Sequence, residues 1–177
     1  MSALGSRYVI PFNRHYISHL ITQILAGSGQ RGLLLEFLMA YIIFTIPDLV
    51  PVTRTHGKGG ETDLRIRNSA SAGEPLKWFE DYFLIECKDR KDVVSEKEFG
   101  HFITKMLLNK TSQAAIVSRM GLSGAPKYAF ASRDQQLAFA QLGLVILDIR
   151  LSDLQTLRSR DDFLLLLQKK YEKLRFG

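Results

Sequence analysis

Disulfide chemistry has almost nothing to work with in this chain, because its 177 residues contain a single cysteine, Cys87. That excludes a disulfide scaffold and a cysteine-rich zinc site, and it suits a reducing cytosol. Long apolar runs are lacking too. The longest, Leu33 to Ile46, has 14 residues and includes Glu36, too short for a membrane span and better read as a buried helix. Met1 to Asn13 lack a basic segment leading into an apolar one, so no secretory signal is expected. No internal repeat, linker-like stretch or low-complexity segment is present. His15, His19 and His101 show no ligand spacing of the H-E-x-x-H kind, which argues against zinc. Gly57-Lys-Gly-Gly60 lacks the spacing of a Walker loop. The expectation is a soluble, cytoplasmic protein with no membrane association.

What is present is close to the globular average: 46% hydrophobic and 24% charged residues, enough to bury an ordinary core. Lysine and arginine number 24 against 18 acids, a net charge of +6. The excess is uneven, net +1 over residues 1–90 and +5 over residues 91–177. A positive surface concentrates polyanions, so DNA is the partner to test first.

The order of local patterns predicts the architecture. Apolar residues at Ile17, Leu20, Ile21, Ile24 and Leu25 have the spacing of an amphipathic helix, broken by Gly27-Ser-Gly-Gln30. Leu33 to Phe44 is apolar on nearly every face, a helix enclosed by other elements and stopped by Pro47. Three extended runs follow, Leu49–Arg54, Thr62–Asn68 and Trp78–Cys87, the last two joined by turn chemistry at Ser69–Pro75 into an antiparallel hairpin. Ser95/Glu98, Ser132/Gln135 and Ser152/Gln155 read as capping boxes opening helices at 96–109, 133–142 and 153–158. Strands are predicted at Ala114–Val117 and Leu144–Ile149, and a basic final helix at Asp161–Arg175. A hairpin-led sheet followed by helix–strand–helix–strand implies an α/β fold with a mixed sheet flanked by helices. One compact domain is expected, with a helical extension at 1–31, a core at 32–158 and a C-terminal basic helix at 159–177.

The chemistry lies on the hairpin. Side chains alternate along a strand, so Glu86 and Lys88 share one face while Phe83, Ile85 and Cys87 point to the core. Asp63 shares a face with Arg65 and Arg67, and pairing of the two strands can set Asp63 opposite Glu86. Adjacent carboxylates repel unless a cation sits between them, and oxygen-only ligands favour Mg²⁺ or Mn²⁺. Such an ion activates water and neutralises charge on a phosphodiester. Taken alone, a Glu-x-Lys triplet on a solvated strand is a salt-bridging pair. Glu36, inside an apolar helix, either faces the metal cleft or pairs with a buried base such as Arg65. Alternation sends Cys87 away from any base on that face, which excludes it as a nucleophile. Lys58, in the Gly57–Gly60 turn, is a candidate phosphate contact, His56 beside it another, and Lys91, Lys97 and Lys105 are candidates for a DNA-binding rim.

The ordered set Gly57-Lys-Gly-Gly-Glu-Thr-Asp63, Ile85-Glu-Cys-Lys88 and Ala115-Ile-Val-Ser-Arg-Met-Gly121 resembles the PD-(D/E)xK, restriction-endonuclease-like nuclease superfamily, and within it the Mrr-like restriction endonucleases. The resemblance spans about Gly32 to Leu154. It implies a restriction-endonuclease-like fold and an endonuclease dependent on Mg²⁺, with Mn²⁺ able to substitute, in a restriction or defence role. It further implies that Asp63, Glu86 and the Cys87 backbone carbonyl bind the metal and that Lys88 is catalytic. Glu36 matches the acid that members often carry on the first core helix. Apart from the resemblance, Lys58, Gly59, Gly60, Arg67 and Lys91 are the candidate DNA contacts. Thr62 stands where the nominal motif has proline, and Gly121–Ala131 is longer than the pattern. A structure-specific enzyme resembling Holliday-junction resolvases, a non-catalytic DNA-binding module, a homodimer, or one subunit of a larger restriction assembly are the alternatives.

Overall fold

The computed structural model describes residues 9–27, 32–57, 60–69, 78–123 and 130–176. Two helices, α1 (Arg14–Ala26) and α2 (Leu33–Phe44), lead into strands β1 (Leu49–Gly57), β2 (Gly60–Asn68) and β3 (Tyr82–Lys88). Then come α3 (Glu96–Leu108), β4 (Gln113–Ser118), α4 (Phe130–Leu142), β5 (Val145–Arg150), the short α5 (Leu151–Gln155) and α6 (Arg160–Phe176). The five strands form one mixed sheet in the order β1-β2-β3-β4-β5. β2 pairs antiparallel with both β1 and β3, whereas β4 pairs parallel with both β3 and β5. The parallel half follows from its crossovers, since α3 and α4 each carry the chain back to the end of the sheet at which the preceding strand began.

Helices cover both faces. Ile85, Cys87, Ala115, Val117, Leu147 and Ile149 turn to one face, into a core shared with α1, α2, α5 and α6. Leu84, Ala114, Ile116 and Ile146 turn to the other, packed with Phe99, Phe102 and Met106 of α3 and Ala138 of α4. β4 is therefore buried along its whole length, and its apolar run shows no polar alternation. α1 buries Ile17, Leu20, Ile21 and Ile24 and α6 buries Phe163 and Leu167, all within the first core. Trp78 stacks on Tyr171 of α6 at 4.7 Å.

Several boundaries differ from the sequence reading. Residues 78–81 precede β3 as turn and bend, with Glu80 N–H donating to the Gln113 side chain. Only the first predicted capping box forms, with Ser95 Oγ accepting from Glu98 N–H and Glu98 Oε2 accepting from Ser95 N–H. Ser132 lies inside α4, and Gln135 instead donates to the Ile146 carbonyl, tying α4 to β5. α5 starts at Leu151, two residues early, because Asp153 Oδ2 accepts from Arg150 N–H. Residues 70–75, where the sequence predicts a turn, and residues 28–31 and 124–129 lie outside the described residues. Among the described residues no helix is long and apolar enough to cross a membrane.

Candidate active site

β2 and β3 pair in the register Leu64–Ile85, Arg65–Leu84, Ile66–Phe83 and Arg67–Tyr82. One step further along that register brings Asp63 opposite Glu86. The backbone ladder gives way here to a side chain, since Asp63 Oδ2 accepts from Cys87 N–H at 2.7 Å. A carboxylate thus closes the end of the sheet pairing, which fixes its orientation through an obligatory donor. β2 continues beyond this point paired with β1 alone, as far as Gly57–Gly60. The β1–β2 hairpin therefore extends past the C-terminal end of β3, the end that holds the site. Lys58 and Gly59 lie outside the described residues; Gly60 opens β2, and the His56 side chain is not described.

Glu86 is 7% exposed and carries two ammonium partners. Lys88 Nζ donates to Oε1 at 2.8 Å and Lys105 Nζ, from α3, donates to Oε2 at 2.7 Å. Lys105 is thus no rim lysine: α3 lays its Phe99–Phe102–Met106 face on the sheet, and the stripe Glu98–Phe102–Lys105 carries Lys105 inward to Glu86. Lys88 lies on the wall between two clefts. One of about 760 Å³ includes Gly27, Gly32, Lys88, Arg90, Lys91 and Arg119; the other, about 480 Å³, includes Glu86, Lys88, His101 and Lys105.

The electrostatics are under-compensated at Asp63. Burial, helped by the negative charges of Glu86 and Glu36 and opposed by the Cys87 N–H and Lys88, pushes its carboxyl up to about 6. Burial and the same acids hold the Cys87 thiol well above its ordinary value, so it stays protonated and inert. Glu36 reaches the cluster from α2 on the opposite layer, close enough to act on both Asp63 and Cys87. The alternative partner Arg65 is elsewhere, its guanidinium 5.5 Å from the Tyr82 ring centroid. Arg67, opposite Tyr82 and exposed, is four residues from Asp63, roughly 13 Å along an extended strand. Lys91 is exposed on the larger cleft.

The donor set is hard oxygen from Asp63 and Glu86, and it carries a charge that the two lysines leave uncancelled at Asp63. Those properties fit a divalent ion such as Mg²⁺. Among the described residues no group of three or more His, Cys, Asp or Glu side chains is arranged to hold one, so further ligands would come from backbone or water.

A second charged cluster escapes the sequence reading. Asp89, one residue past β3, pairs through Oδ1 with Arg119 Nε, and its Oδ2 accepts from Gly32 N–H at 3.4 Å. Arg119, after β4, also donates to the Ile24 carbonyl at the end of α1. The two side chains are 6% and 11% exposed and join two strand ends to the α1–α2 connection. The Val-Ser-x-x-Gly stretch has a structural use as well: Ser118 Oγ accepts from Gly121 N–H at 2.8 Å. Gly121 has φ +85°, and a Cβ there would collide with the Arg150 guanidinium. Compared with protein-family models, characterised proteins and solved structures, the chain matches none.

Proposed function

We propose that this protein is a divalent-metal-dependent DNA endonuclease of restriction-endonuclease-like architecture, related to the Mrr-like enzymes. The observation that carries the reading is the meeting of Asp63 and Glu86 across the β2–β3 pair, with Lys88 on a Glu86 oxygen and Asp63 short of positive charge. A bound divalent ion supplies Lewis acidity and a more acidic attacking water. The protein's part is geometric and electrostatic. Cys87 N–H holds Asp63 by one oxygen, so its carboxylate is aimed before any ion arrives. Lys88 Nζ, bordering both clefts, turns from Glu86 Oε1 to a phosphate oxygen and offsets charge developing in the transition state. Arg90 and Lys91 on the larger cleft and Arg67 on β2, with Lys58 from the sequence between β1 and β2, contact the polyanion backbone without reading sequence.

The test is incubation of supercoiled plasmid, linear duplex and four-way junction with the purified protein in Mg²⁺ or Mn²⁺, beside EDTA and Lys88→Ala controls. Metal-dependent nicking or linearisation absent from both controls is expected. Cleavage that persists undiminished in Lys88→Ala would sink the reading, and selective junction cleavage would assign the structure-specific class.

A further inference from the structure

Both oxygens of Glu86 are occupied by lysine, yet the proposed chemistry needs that carboxylate for a divalent ion. One lysine has to yield. Lys88 is the more exposed of the two, with 26% of its side chain accessible against 16% for Lys105, and it borders both clefts. Lys105 is anchored on α3, whose neighbouring Phe102 and Met106 are buried against the sheet, and of the two clefts it borders the smaller.

Electrostatics separates their tasks. A cation fixed on Glu86 repels a second cation bound beside it and attracts an approaching phosphodiester, whereas Lys88 can leave Glu86 for a substrate in the clefts that it borders.

Resting on the nuclease reading, we infer that Lys105 is the permanent counter-cation of Glu86, a positioning residue that sets the charge of the cluster and releases Lys88 to the substrate. It weakens metal binding and strengthens binding of the polyanion. A purely structural lysine would do neither, because its loss would loosen Glu86 and weaken the ion's hold.

The experiment is Mn²⁺ titration of the full chain by electron paramagnetic resonance, for wild type, Lys105→Met, Lys105→Gln and Lys105→Arg. Folding of each is checked by circular dichroism, and binding of a labelled DNA duplex is measured in Ca²⁺. Removing one positive charge a few ångströms from the ion should tighten Mn²⁺ binding about tenfold after solvent screening. Duplex binding should weaken by a similar factor, and Lys105→Arg should restore both to wild-type values. Unchanged or weaker Mn²⁺ binding in whichever neutral variant folds overturns the inference while leaving the nuclease reading intact. No Mn²⁺ binding by wild type overturns both.

Discussion

Two charged clusters lie within a few residues of each other at the C-terminal end of β3, and they are built on opposite principles. Asp89 and Arg119 have every charge answered: carboxylate oxygens to a guanidinium and a backbone N–H, and the guanidinium to a helix-end carbonyl. At Asp63, by contrast, burial and the neighbouring Glu86 and Glu36 outweigh the Cys87 N–H and Lys88 and push the carboxyl to about 6. The first arrangement minimises free energy in the folded chain, as buried ion pairs must if they are to offset desolvation. The second stores unfavourable free energy at a place that a cation and a phosphate would relieve, which is how functional sites depart from structural ones.

The contrast is sharpest where function and stability should separate. Lys88→Ala is expected to lower metal-dependent plasmid cleavage by about 10²- to 10⁴-fold, with thermal unfolding nearly unchanged. A parallel fall in melting temperature would show Lys88 to be a structural partner of Glu86. Arg119→Met should act in the reverse sense. It leaves Asp89 buried without its cation, costing about 3 kcal/mol, or roughly 10 °C of melting temperature for a chain of this size. Calorimetry checks this, and a loss under about 1 kcal/mol would remove the distinction between the clusters.

Asp63→Asn should make the metal-free protein more stable, by about 1–2 kcal/mol at pH 7 after allowing for partial solvent access. The sign follows from linkage. The folded-state value near 6 lies above the ordinary 3.8, so the wild-type contribution is favourable at low pH and is lost as pH rises through 6. Denaturant unfolding of both proteins should therefore coincide near pH 3.5 and diverge between pH 4 and 7, and millimolar Mn²⁺ should favour the wild type instead. Equal stability at pH 7 would contradict the stored unfavourable free energy. The smallest effect belongs to Ser95→Ala, a capping-box change on α3 worth about 1 kcal/mol. It should leave Mn²⁺ affinity unaltered, since it lies at the far end of the helix from Lys105.

Much of this was legible because strand periodicity is a local property. Period-two alternation in Leu84–Lys88 was enough to put Glu86 and Lys88 on one face and Cys87 on the other, and the hairpin signal was enough to bring Asp63 across. Capping boxes were less reliable. Ser132/Gln135 and Ser152/Gln155 have the right residues, but Gln135 found a β5 carbonyl and Asp153 outcompeted Ser152 for the start of α5. Local hydrogen-bond patterns name possible partners, and tertiary neighbours choose among them.

The sequence by itself determined the elements, the antiparallel hairpin and the shared face of Glu86 and Lys88, because each depends on contacts a few residues apart or on backbone alternation. Only the tertiary structure decided that Lys105 reaches Glu86 across 19 positions and that Arg119 closes on Asp89 across 30. It also brought Glu36 to Asp63 from the other layer of the molecule. Those pairings depend on how helices rotate and dock on a twisted sheet, which is set by the summed burial of Phe99, Phe102, Met106 and their neighbours. No local pattern carries that sum.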